Sequence, residues 1–98
     1  MKVLVKSKHF KIVDLDKFDS VKVVEESTTN KNADNGTAYT VYAVKTASGG
    51  GSFLGSGEEK EWLTSVFSES LADEIMKDIC LNWGEGKPVY EIEKWFKD

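Results

Sequence analysis

The sequence predicts an α+β fold: an antiparallel sheet of four to six strands with one main helix packed on one face. Three observations lead there. Short β-rich runs of alternating pattern fill most of the chain to residue 67. At Ser68 the apolar period changes from two to between three and four. Strands followed by a helix, instead of strands alternating with helices, mark the α+β class. The 98 residues suit a single domain over 1–98 with one modest core.

Taken in order, "KVLVK" opens the chain as a strand over 2–6. Residues 10–15 form a second strand and 21–26 a third, separated by a bend in which Asp16, Asp19 and Ser20 are turn formers and Phe18 is a core anchor. "STTNKNADNG" is a polar loop ending in Asn35-Gly36, a hairpin signal because both residues tolerate positive φ. Residues 37–47, "TAYTVYAVKTA", make the longest strand; Tyr39, Val41 and Ala43 share one face and Thr40, Tyr42 and Val44 the other. Apolar groups on both faces make it a central strand. A further strand covers 59–67.

The helix covers 69–83. Ala72, Ile75, Met76, Ile79 and Trp83 form its apolar stripe, Ser68 its N-cap, and Gly84 and Gly86 its stop. The tail is open to two readings: an edge strand over 88–92 entered through Pro88, or a short helix over 91–97 with Ile92, Trp95 and Phe96 on one side. A short strand ending in a helical turn reconciles them.

Composition narrows the function. Seventeen acidic residues against thirteen basic ones give a net charge of -4, and every basic residue is a lysine. A negative, arginine-free chain is ill suited to phosphate backbones or bidentate base contacts, so nucleic acid is not an expected partner. No run of about 20 apolar residues exists to span a bilayer. With one cysteine and no signal-peptide pattern in Met1–Phe10, a soluble cytoplasmic protein is expected.

The stretch "TASGGGSFLGSG", Thr46 to Gly57, invites comparison with phosphate-binding loops. Gly49 and Gly51 give G-x-G, but Leu54 stands where a dinucleotide fingerprint needs its third glycine. Gly50 and Gly55 have P-loop spacing, but Ser56 replaces the lysine, and a strand instead of a helix follows. The stretch reads as a connection between strands, anchored by Phe53 and Leu54. A small-molecule or nucleotide site over Gly49–Gly57 is the alternative.

Catalysis has little to stand on. His9 and Cys80 are the only residues of their types; one histidine cannot build a zinc site without cysteines, and a helical cysteine beside Ile79 behaves as a small buried hydrophobe. Asp14-x-Asp16-x-x-Asp19 lacks the glycine and terminal glutamate of an EF-hand loop. No catalytic, metal or cofactor residue is assigned.

The aromatic supply exceeds what one small core needs. Tyr39, Tyr42, Phe53, Leu54, Trp62 and Trp95 are therefore the expected interaction surface, and a sheet face left uncovered by a single helix favours a protein partner or a homodimer. Ile12, Leu15, Asp16, Phe18, Asp19, Ser20, Val21 and Val23, followed by a long strand, a glycine turn and the helix entry "FSESLADEIMKDI", resemble a group of small bacterial and phage proteins. That resemblance implies an antiparallel sheet closed by one C-terminal helix, somewhat like a truncated pleckstrin-homology sheet. It implies a bacterial or phage origin and brings no activity. The expected function is a non-enzymatic interaction protein, with an acidic phage inhibitor mimicking nucleic acid as a variant, provided the acidic clusters share one face.

Overall fold

The computed structural model describes residues 1–5, 11–33, 35–46 and 58–96. Its elements run β1 (Lys2–Val5), β2 (Lys11–Asp14), a 3₁₀ turn (Leu15–Lys17), β3 (Ser20–Ser27), β4 (Thr37–Thr46), β5 (Glu58–Val66), α1 (Glu69–Gly84), β6 (Val89–Glu91) and a 3₁₀ helix (Ile92–Phe96). The fold class is α+β. All six expected strands form, and the tail holds both a strand and a helical turn.

The strands divide between two three-stranded sheets, ordered β2-β1-β6 and β3-β4-β5. Most pairing is antiparallel; β6 lies parallel to β1, with Val3 opposite Tyr90. The two sheets also differ in strand length. β1, β2 and β6 have three or four residues, and β3, β4 and β5 have eight to ten.

The turn between β2 and β3 is built by aspartates. Asp14 accepts the N–H of Asp16 at 3.1 Å, satisfying a donor that a tight bend would otherwise leave unpaired, and Asp19 accepts the N–H of Thr46 at the end of β4 at 2.7 Å, tying the turn to that strand. Leu15, expected to end the strand, instead begins the 3₁₀ turn and is fully buried. Phe18 packs against the core as expected.

The β3–β4 connection is longer than an Asn-Gly hairpin. Thr28 N–H reaches Gly36 C=O at 2.9 Å, and within the loop Thr28 and Asn30 side chains accept the N–H groups of Asn30 and Asn32. Of the Asn35-Gly36 pair, Gly36 takes a positive φ, 70°, and Asn35 does not, so this pair forms no two-residue type I′ turn and side-chain-to-backbone bonds support the loop instead.

Helix α1 starts on Ser68, whose hydroxyl accepts Leu71 N–H at 3.3 Å. It stops at a Schellman arrangement: Gly86 at φ 77°, with Gly86 N–H on Trp83 C=O and Lys87 N–H on Asn82 C=O at 3.0 and 3.1 Å. Ala72, Ile75 and Ile79 are fully buried, and Met76 and Trp83 lie half-buried against the core. The helix packs on β3, β4 and β5. Val21, Val23, Val41, Ala43 and Leu63 meet it, and β1, β2, β6 and Ile92 close the core through Val3, Val5, Val13 and Tyr90. At roughly 25 cal/mol per Å² of apolar area, this shared burial holds together elements that are each too short to stand alone.

Candidate functional site

The face of β3-β4-β5 turned away from α1 is defined by its register. Antiparallel partners directly opposite one another share a face. Tyr42 stands opposite Lys22, Thr40 opposite Val24 and Ala38 opposite Glu26. On the other flank Thr40 faces Ser65, Tyr42 faces Trp62 and Val44 faces Lys60. The ladder slips between Val41 and Tyr42. That leaves Leu63 as the extra residue of a β-bulge, which lets Leu63 sink into the core while Trp62 stays beside Tyr42.

These side chains form one hydrogen-bonded chain. Thr40, 1% exposed, donates to Glu26 Oε1 at 2.6 Å and lies 2.8 Å from the Ser65 hydroxyl. Ser65 accepts the Trp62 indole N–H at 2.9 Å. Tyr42 donates to Glu26 Oε2 at 3.0 Å. Lys60 Nζ lies 5.6 Å from the Tyr42 ring centroid and Lys11 Nζ 5.7 Å from that of Trp62, while Lys11 also pairs with Glu61 at 3.0 Å. Desolvation, and secondarily the Glu26 carboxylate, raise the Tyr42 phenol above its ordinary pKa. Neutral Tyr42 is thus a lasting donor to Glu26. Beyond Trp62 the face runs into a groove of about 250 Å³ lined by Trp62, Ser65, Ile92, Glu93 and the exposed Phe96.

The six residues expected at an interaction surface separate. Tyr42 and Trp62 stand opposite one another on the open face, and Trp62 also packs against the core. Tyr39 stands on the opposite face, opposite Glu25 and packed against the core. Trp95 also packs against the core and donates to the Tyr90 hydroxyl at 2.7 Å. Phe53 and Leu54, like Gly49–Gly57 and His9, lie outside the described residues. Glu26, Thr40, Ser65 and Lys60 belong to the open face and were not singled out from the sequence. The alternation of Thr40 and Tyr42 was the available signal; the register that adds Glu26 and Ser65 was not.

A second polar cluster ties the tail to the helix. Asp78 Oδ2 accepts from Tyr90 at 2.6 Å and pairs with Lys94 at 2.8 Å. Asn82 donates to the Asp78 backbone carbonyl at 2.7 Å. The Lys94 and Tyr90 hydrogen bonds hold the Asp78 carboxyl below its ordinary range. Burial, reinforced by Asp78, pushes the Tyr90 phenol well above its own. Every group here has a partner, and the cluster is a clamp.

Cys80, expected to be buried, is exposed on α1, and desolvation raises its thiol pKa. It is a neutral thiol at pH 7 and a poor nucleophile. Asp14, Asp16 and Asp19 turn to different partners: Asp16 bonds the Met1 ammonium at 3.0 Å and the Trp83 indole at 3.4 Å, which lowers its pKa. Among the described residues no group of three or more His, Cys, Asp or Glu side chains is placed to hold a metal ion, and no helix is long and apolar enough to cross a membrane. No protein-family model, curated protein or solved structure matches the chain.

Proposed function

We propose that this chain is a non-enzymatic interaction protein that binds a protein partner, or a second copy of itself, through the open side of the β3-β4-β5 sheet. The observation that carries this reading is the exposed eight-residue edge strand β3 bordering a face whose polar groups are already fixed. A chain of bonds through Glu26, Thr40, Ser65 and Trp62 spans three strands. Side chains held in place before contact lose less entropy on binding, and Tyr and Trp supply contact area at low cost.

The acidic residues speak against the variant that mimics nucleic acid. Glu26 lies on the face opposite α1, whereas Asp73, Glu74 and Asp78 lie on α1 itself. Glu61 and Asp78 are each paired with a lysine. A phosphate mimic needs its charges on one side and unneutralised.

A photo-crosslinking residue in place of Val24 or Lys60, both on the open face, with Lys77 on α1 as the control position, tests the reading in cells. Adducts with protein from the two sheet positions and none from position 77 are expected. Adducts of equal yield from all three, or from position 77 alone, would overturn it.

A further inference from the structure

We infer that the occupant of the β3 edge is a second copy of this chain, paired antiparallel to the first about a two-fold axis at Val24. This rests on the reading of the open sheet side given above and names its partner. Thr28 N–H bonds Gly36 C=O, which fixes Thr28 and Gly36 as a hydrogen-bonded pair. Alternation then directs the backbone groups of Glu26, Val24, Lys22 and Ser20 towards β4. Val21, Val23, Glu25 and Ser27 direct theirs outward, and among the described residues these have no partner. Such a row of outward donors and acceptors is a template for one more strand.

The sequence of β3, "SVKVVEES", specifies which strand. Centred on Val24, antiparallel self-pairing sets Val23 against Glu25 and Val21 against Ser27. All four are outward-directed residues, so both sets form hydrogen-bonded pairs. Lys22 then stands against Glu26, and Glu26 against Lys22, in the non-bonded positions where side chains approach most closely. Both lie on the open face, where Thr40 and Tyr42 hold the Glu26 carboxylate at 2.6 and 3.0 Å. Each carboxylate oxygen keeps a lone pair for a lysine across the axis. Val24 meets its own copy at the centre.

Other arrangements lose this match. Moving the axis to Val23 sets Lys22 against Val24 and Glu26 against Ser20. Parallel pairing in register stacks lysine on lysine and glutamate on glutamate. The charges therefore select one register, and the product is a continuous six-stranded sheet, β5-β4-β3 joined to its own image.

Sedimentation across a concentration series, for the full chain, is the test. Wild type is expected to be dimeric. Lys22→Glu and Glu26→Lys, each alone, put like charges at both contacts and should weaken the dimer about tenfold or more. An equimolar mixture of the two variants restores opposite charges at both contacts and should associate again, which also shows both variants to be folded. Glu25→Pro removes one outward N–H without touching the β4 ladder and should abolish the dimer. A wild type monomeric at about 1 mM, a mixture no tighter than either variant alone, or a dimer indifferent to Glu25→Pro would each overturn the inference. A monomer that still gives adducts with other proteins from positions 24 and 60 would overturn this inference and leave the sheet-side reading standing. Adducts from position 77 alone, or in equal yield from all three positions, would remove that reading instead.

Discussion

Tyr90 and Asp78 meet at 2.6 Å, a hydrogen bond that ties β6 to α1 across twelve residues of chain. Tyr90 is 3% exposed, and its hydroxyl also accepts from the Trp95 indole. One oxygen therefore joins the helix, the last strand and the terminal 3₁₀ helix. Tyr90→Phe keeps the ring and deletes that oxygen, leaving a half-buried indole N–H without its partner. A loss of about 1–2 kcal/mol in unfolding free energy is expected, read as a lower urea midpoint at unchanged slope.

The same clamp gives a pH dependence. Asp78 is held below its ordinary pKa of 3.8 by hydrogen bonds from Lys94 and Tyr90. A carboxyl with a folded pKa below its unfolded one contributes stability above the unfolded value, and the contribution is lost as pH falls through the folded one. Thermal midpoints should thus fall more steeply below about pH 4 in wild type than in Asp78→Asn, which has no proton to take up there. Asp16, lowered by the Met1 ammonium and Trp83, adds to the wild-type slope with the same sign and survives in the variant. The slope should therefore shrink without vanishing.

At the end of α1 two glycines two residues apart have opposite roles. Gly86 has φ 77° and Gly84 an ordinary helical conformation. A Cβ would meet nothing within 4 Å at either, so backbone conformation alone separates them. Gly86→Ala should destabilise by about 1 kcal/mol, because a side chain disfavours the left-handed region. Gly84→Ala should stabilise by up to about 1 kcal/mol by reducing the entropy lost on folding. Thermal or chemical unfolding of both variants checks the opposition in sign.

How much of this was legible follows from the range of each signal. The α1 stripe, its Ser68 cap and all six strands are local patterns, and local patterns are read directly. The partition into two sheets depends on which strands pair, and the pairing of β1 with β6, residues 2 to 91, has no local trace. The open face was half legible. Alternation placed Thr40 and Tyr42 together, but Glu26 joins them only through a register set by the side-chain bonds of the 28–36 loop, where Asn35-Gly36 suggested a tighter turn. Trp62 and Leu63 show the same limit, since plain alternation does not foresee the bulge. Cys80 was misplaced because its neighbour Ile79 is fully buried; one step along a helix turns a side chain by about 100°.

Thr40 is the node of the open face, and its hydroxyl is the atom most worth removing. It donates to Glu26 and shares a hydrogen bond with Ser65, which in turn accepts from Trp62. Thr40→Val keeps the shape and β-branching that suit a central strand. The groups it abandons, on Glu26 and Ser65, belong to exposed residues and find water instead. The stability cost should therefore stay near the net value of one hydrogen bond, about 0.5–1.5 kcal/mol. The larger effect should be on order: Glu26 loses the shorter of its two anchors and Ser65 its link to the strand centre. Side-chain relaxation at Glu26, and the Trp62 indole resonance in NMR spectra, should report increased mobility in Thr40→Val. A Thr40→Ser variant, which retains the hydroxyl but not the methyl, should keep both signals near wild type. Equal loosening in the two variants would assign the order of this face to packing of the methyl group instead of the hydrogen-bond chain.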